Sequence, residues 1–178
     1  MISIDANTRR TGVSLFQGGY LKAAAVLTSE EKVPMLAGHE MVQQLKALGW
    51  KLNDEGVVEW PAHYGPYSRA PAKTVQKLTV VATALSSAII AAGGSTRQVK
   101  PSTWKGSREK FTRTEDGGWY YLQWSRIGPA LSVAEKKVLL PFVPRAYGGA
   151  STIKAKGGWD DDVLDSVGLG LYALRRII

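Results

Sequence analysis

Apolar and polar positions change rhythm several times along this chain. Ile2-Ser3-Ile4, Gly12-Val13-Ser14-Leu15-Phe16 and Tyr20 to Leu27 are short, largely apolar runs, and they predict three strands. Gln17-Gly18-Gly19 predicts a tight hairpin between the last two, since a double glycine accepts the positive φ angles such a turn needs. A helix is expected from Pro34 to about Gly49, with proline early and glycine late. Val57-Val58-Glu59 reads as a short buried strand stopped by Pro61, and residues 61–71 read as a loop.

Between Lys73 and Ala92 apolar residues fall at 75, 78, 82, 85, 89 and 92, one face of an amphipathic helix that Gly93-Gly94 ends. Thr96 to Val99 predicts a further strand, stopped by Pro101. A stretch of low regularity follows, with a helix expected over Ser132 to Leu140 and a flexible basic lead-in over Ser151 to Gly158. A last helix is expected from about Asp160 to the chain end, with Val163, Val167, Leu171, Leu174 and Ile178 along one stripe. A meander followed by alternating helix and strand predicts an α/β fold, a mixed sheet with helices on both faces. The 178 residues are expected to form one domain carrying a basic, aromatic insert at about 105–158.

Composition narrows the chemistry. The chain has no cysteine, so disulfides, thiolate zinc sites and cysteine nucleophiles are excluded. Its two histidines, His39 and His63, are too far apart for the helical zinc-protease motif. Met1 to Asp5 does not read as a secretory leader, and the most apolar region, Leu78 to Ala92, reads as too short to span a bilayer. The expectation is therefore a cytoplasmic protein with no membrane partner.

The formal charge of +8 is unevenly placed. Ser95 to Gly158 holds twelve basic residues against four acidic ones, which is the whole excess; the remainder has eleven of each sign. Trp104, Phe111, Trp119, Tyr120, Tyr121, Trp124, Phe142 and Tyr147 are interleaved with those charges. Basic side chains neutralise phosphates and aromatic rings stack on unpaired bases, so the segment fits a nucleic-acid surface. It fits equally well a solvated basic face over an aromatic core.

Asp5 ends the first strand and Glu59 a later one, where sites assemble in open α/β sheets. Asp162 and Asp165, three apart on the last helix, project from one side of it. Four carboxylates from three elements repel unless cations hold them, and hard oxygen ligands select Mg²⁺ or Mn²⁺. Two such ions would suit phosphodiester hydrolysis. Taken alone, Asp160-Asp161-Asp162 is better read as acids capping a helix start. Gly168-Leu169-Gly170-Leu171-Tyr172-Ala173 fits a dinucleotide fingerprint but lies inside a helix and follows no strand, and there is no Walker loop. No nucleotide cofactor is expected, and the two glycines read as sites of close helix packing.

Asp5-Ala6-Asn7-Thr8-Arg9-Arg10-Thr11-Gly12 resembles the opening D-x-G-x-R-x-T-G of RuvC-type Holliday junction resolvases. Glu59 before a loop and a long helix resembles the family's second acid. Gln98-Val99-Lys100-Pro101 with Lys105-Gly106 resembles the strand and turn before its last section, and Asp162-Val163-Leu164-Asp165-Ser166-Val167-Gly168-Leu169 its terminal helix. The matches keep family order over most of the chain. The resemblance implies an RNase H-like fold, a symmetric homodimer, and paired Mg²⁺-dependent nicks in branched DNA that leave 5′-phosphate and 3′-hydroxyl ends. It implies two Mg²⁺ ions, replaceable by Mn²⁺, held by Asp5, Glu59, Asp162 and Asp165. The residues expected to meet DNA are Arg9, Arg10, Lys100, Lys105, Arg108, Lys110, Arg113, Lys154 and Lys156.

Asn7 stands where the family usually has glycine, and the section from Lys105 to Gly158 is longer and more aromatic than in the bacterial enzymes, more like the small resolvases of phages. Three successive acids leave Asp161 with Asp165 as an alternative pair. Two other readings stay open: a YqgF-like nuclease of the same fold acting on RNA, and a non-catalytic protein that binds branched DNA. An actin-like kinase would need a second such domain and phosphate-binding glycine loops.

Overall fold

The computed structural model describes residues 1–61, 71–105, 110–149 and 156–178. A five-stranded sheet holds β1 (Ile2–Asp5), β2 (Arg10–Gln17), β3 (Tyr20–Thr28), β4 (Glu55–Glu59) and β5 (Ser95–Val99), in the order β3-β2-β1-β4-β5. The first three strands form the antiparallel meander, and β4 and β5 run parallel to β1. Gly18 and Gly19 both take positive φ in the hairpin, as the double glycine predicts.

Helices cover both faces. On one lie α1 (Pro34–Ala47) and α2 (Ala72–Ala91), with Met41, Leu45, Val81, Leu85 and Ile89 packed on Ile2, Ile4, Val13 and Val58. On the other lies α6 (Asp161–Ala173), with Val163, Val167 and Leu171 in a core shared with Phe16 and Val57. Side chains alternate across a strand, so Ile2 and Ile4 face α1 and α2 while Ser3 turns to α6, where its hydroxyl meets the Ser166 carbonyl at 2.7 Å. The same period puts Asp5 and Glu59 on the α6 side. The parallel register that pairs Ile4 with Val58 makes them neighbours.

The chain departs from the sequence expectation at two places. The helix α6 stops at Ala173 instead of running to the end: Arg175 takes a φ of 56°, the Arg176 amide closes on the Leu171 carbonyl, and Ile178 is exposed. The insert is more regular than its sequence suggests. After α3 (Pro101–Trp104) it contains a hairpin of β6 (Phe111–Arg113) and β7 (Trp119–Tyr121), α4 (Trp124–Ala130) and α5 (Val133–Val138), the last opened by a capping box of Ser132 and Glu135. Strands of three residues carry no readable period. The helix α2 keeps the span expected of it, and by length and composition alone it could cross a membrane. Its inner face packs on α1 and the sheet as a core helix does.

Glycines in α6 do what the rejected dinucleotide fingerprint suggested. A Cβ on Gly168 would lie 2.5 Å from the Trp104 ring, and one on Gly170 would lie 2.2 Å from the Phe16 ring. Their bare surfaces let the helix sit close to the sheet and to the insert.

Candidate active site

Three acids converge where β1, β4 and α6 meet. The Lys105 ammonium sits among them, 2.8 Å from Glu59 Oε1, 2.7 Å from Asp165 Oδ2 and 3.7 Å from Asp5 Oδ1. Lys105 follows α3, and its carbonyl accepts 2.7 Å from Gln123 Nε2, which fixes the backbone that delivers it. A second ammonium, that of Lys110, bridges Asp165 Oδ2 at 2.9 Å and Asp161 Oδ2 at 3.0 Å. The remaining oxygens of Glu59 and Asp165 are also engaged: Trp104 Nε1 donates to Glu59 Oε2 at 2.8 Å, and the Tyr121 hydroxyl donates to Asp165 Oδ1.

The acids at the start of α6 divide by direction. Asp160 caps the helix, accepting from the Val163 amide, and also takes Arg10 Nη2 at 2.7 Å. Asp162 pairs with Arg10 Nε at 3.3 Å. Asp5, Glu59 and Asp165 are thus brought together on one ammonium, and Asp161 joins them through Lys110. Asp162 stands beside Arg10, toward Asp160.

Burial sets the protonation of the group. It pushes the Asp5 carboxyl well above its usual range; Lys105 opposes this, and Glu59 and Asp165 reinforce it. Burial would raise Asp165 as well, but Lys105 and Lys110 hold it below its ordinary value. Asp162 is pushed up to about 6 by burial and by Asp161. Lys105 and Lys110 are both raised: the acids around them outweigh the cost of burying their charge.

Among the described residues no group of three or more His, Cys, Asp or Glu stands in metal-ligand geometry, since an ammonium fills the centre. The donor set nevertheless fits a hard divalent ion. It is all carboxylate oxygen, and Asp165 Oδ2 is buried with no well-directed hydrogen bond, touching the two ammonium groups only by ion pairing. Among the described residues six acidic side chains (Asp5, Glu59, Asp160, Asp161, Asp162 and Asp165) meet three basic ones (Arg10, Lys105 and Lys110) in these contacts.

The other residues expected to meet DNA are scattered. Arg9 is exposed and lines a cavity of about 280 Å³ with Thr8, Glu31, Lys32, Pro34 and Lys77. Lys100 is exposed at the start of α3. Arg113 lies over the Trp119 ring at 4.0 Å. Arg108, Lys154 and the side chain of Lys156 lie outside the described residues, as does His63. The insert aromatics largely form core: Tyr120, Tyr121, Trp124 and Tyr147 ring Trp159 at centroid distances of 4.7–6.0 Å.

Sequence reasoning missed Lys105 and Lys110 as counter-charges of the acids, and Trp104 and Tyr121 as their hydrogen-bond donors. The one available signal was the adjacency of Trp104 and Lys105 to the motif at Lys100-Pro101.

A structure of T. thermophilus RuvC in complex with a Holliday junction substrate superimposes on this chain with a TM-score of 0.50 at 13% identity, covering 98% of this chain and 93% of that one. The chain has a RuvC-like fold. A second T. thermophilus RuvC structure matches with a TM-score of 0.45, 13% identity and coverage of 98% and 94%. The RuvC-like fold accounts for the mixed RNase H-like sheet, with its meander, its parallel strands and its helices on both faces. No protein-family model matches the sequence, and no curated protein matches it.

Proposed function

We propose that the chain is a metal-dependent endonuclease that cuts branched DNA, with the four-way junction as its substrate. The observation that carries this reading is the convergence of Asp5, Glu59 and Asp165 on a single cationic point. Asp5, Glu59 and Asp165 would hold Mg²⁺, or Mn²⁺ in its place, with Asp162 or Asp161 completing a second position. Bound there, the ions would activate a water and stabilise the leaving oxygen, giving 5′-phosphate and 3′-hydroxyl ends.

The chain's own groups supply the rest. Lys105 and Lys110 are cations on either side of residues 106–109. With the acids neutralised by a bound divalent ion, these two side chains would be available to meet phosphates. Arg9, Arg10, Lys100 and Arg113, with Arg108, Lys154 and Lys156, would hold the arms through their phosphates, which position the DNA without reading its sequence. Two symmetric nicks need two sites, and a twofold homodimer supplies them.

A second reading has its own support. Lys105 and Lys110 already neutralise part of the acid cluster, as a non-catalytic protein that binds branched DNA would need. The convergence of three acids from β1, β4 and α6 on one cation position favours the nuclease.

The test is cleavage of a labelled four-way junction, a Y-branch, a linear duplex and an RNA–DNA hybrid, in Mg²⁺ and in EDTA. Paired nicks confined to branched DNA and abolished by EDTA are expected. Cutting of the hybrid alone would transfer the activity to RNA, and tight junction binding without cutting would leave the binding protein.

A further inference from the structure

Two carboxylates at the site share one arrangement. Glu59 gives Oε1 to the Lys105 ammonium and Oε2 to Trp104 Nε1 at 2.8 Å. Asp165 gives Oδ2 to the two ammonium groups and Oδ1 to the Tyr121 hydroxyl. In each case a neutral donor holds one oxygen and a cation meets the other.

The two donors suit that task chemically. An indole N–H can only donate, so it never competes for a cation. A phenol hydroxyl is protonated at neutral pH and, set against a carboxylate oxygen, can only donate to it, as Tyr121 does to Asp165 Oδ1. Both rings are fixed in place. Trp104 is buried against Gly168, and its carbonyl accepts 2.7 Å from Arg126 Nη1. Tyr121 is buried in ring contact with Phe111 at 5.7 Å and Trp159 at 6.0 Å, on a strand pinned to β6. A carboxylate held at only one oxygen turns about its last torsion; one held at both does not.

We propose that Trp104 and Tyr121 are positioning residues, which lock Glu59 and Asp165 so that one oxygen of each stays turned to the cation position. The inference rests on the reading that these carboxylates take a divalent ion. It gives the insert a role besides binding DNA: its Tyr121 holds Asp165, while Trp104, just before the insert, holds Glu59.

The test is Mn²⁺ affinity of the full chain without DNA, measured by calorimetry and by electron paramagnetic resonance, for Trp104→Phe and Tyr121→Phe. Ser14→Ala is the control, since it removes a buried hydrogen bond between β1 and β2 that involves none of these carboxylate oxygens. Loss of an outer-shell bond of this kind weakens metal binding on the order of 10–100-fold. The two aromatic variants are expected to bind Mn²⁺ at least about tenfold more weakly and to need correspondingly more metal for half-maximal cleavage. Ser14→Ala should lose thermal stability and keep wild-type Mn²⁺ affinity. Tyr121→Phe removes one oxygen and no carbon, so it carries the test alone if Trp104→Phe does not fold. Wild-type Mn²⁺ affinity in the folded aromatic variants overturns the inference, as does an equal loss in Ser14→Ala. Wild-type protein that binds Mn²⁺ but cuts no DNA removes the nuclease proposal only, and the affinity comparison still decides this one. Absence of Mn²⁺ binding by the wild type overturns both.

Discussion

Gly12 on β2 and Asp162 in the first turn of α6 stand so close that a Cβ on Gly12 would lie 1.8 Å from the Asp162 carbonyl oxygen. Gly12 is also the residue opposite Asp5 in the β1–β2 register. The missing side chain therefore lets the helix that carries Asp161, Asp162 and Asp165 rest directly over the strand pair that carries Asp5. Gly12→Ala meets backbone, which cannot swing aside as a side-chain tip can. It is expected to cost about 3 kcal/mol in urea denaturation and to disable cleavage by lifting the start of α6. Wild-type stability and cutting in that variant would contradict the account of α6 docking.

Asp5 should behave differently. Burial raises its carboxyl well above the unfolded value of 3.8, so ionising it as pH rises through the folded value costs stability. Asp5→Asn removes that cost. At pH 7, without metal, the variant should unfold at the wild-type temperature or above it, while junction cleavage falls by about 100-fold or more and junction binding stays. A gel assay beside a melting curve separates the two effects.

Lys105 is the internal counter-ion. Its removal leaves Asp5, Glu59 and Asp165 facing one another, and an uncompensated buried charge typically costs about 3 kcal/mol. Lys105→Met should therefore melt early in EDTA. Mg²⁺ should then raise its melting temperature more than it raises that of the wild type, because the ion no longer competes with the Lys105 ammonium. An equal Mg²⁺ response in both proteins would show that the ammonium and the metal do not share the position.

Glu135 ties three distant pieces together. It accepts from the Leu21 amide at 2.8 Å and from the Ser132 amide at 2.9 Å, and it pairs with both terminal nitrogens of Arg176 at 2.6 and 2.9 Å. The Arg176 hydrogen bonds pull its carboxyl down to about 2. A depressed value means that this stability is present above the unfolded value of 4.5 and is lost as pH falls toward 2. Glu135→Ala should cost about 3 kcal/mol at pH 7. The gap from wild type should close between pH 4.5 and pH 2, followed by circular dichroism.

Much of the frame was legible in the residues. The alternation in Ile2-Ser3-Ile4, the short buried run of Val57-Val58-Glu59, the glycine pair at 18 and 19, and the three-four spacing of α2 each report a strong local preference that the fold keeps. The end of α6 was hidden, since Leu174 and Ile178 continue the helical spacing on paper. The helix ends where Arg175 takes a positive φ, and the Arg176 side chain then pairs with Glu135, 41 residues away. The hairpin of β6 and β7 was hidden for want of length.

The sequence by itself determined the elements, their mixed α/β order and the acids at the strand ends, because these follow from short-range periodicity and turn chemistry. Only the tertiary structure decided which acids meet. The parallel register of β1 and β4, and the close approach of α6 at Gly12, set Asp5, Glu59 and Asp165 around one point and turned Asp162 toward Arg10. It also decided that Lys105, Trp104 and Tyr121 serve those acids. Contacts between residues 44 to 60 positions apart leave no local pattern. They arise from packing, where a buried charge must find whatever partner the fold brings within reach.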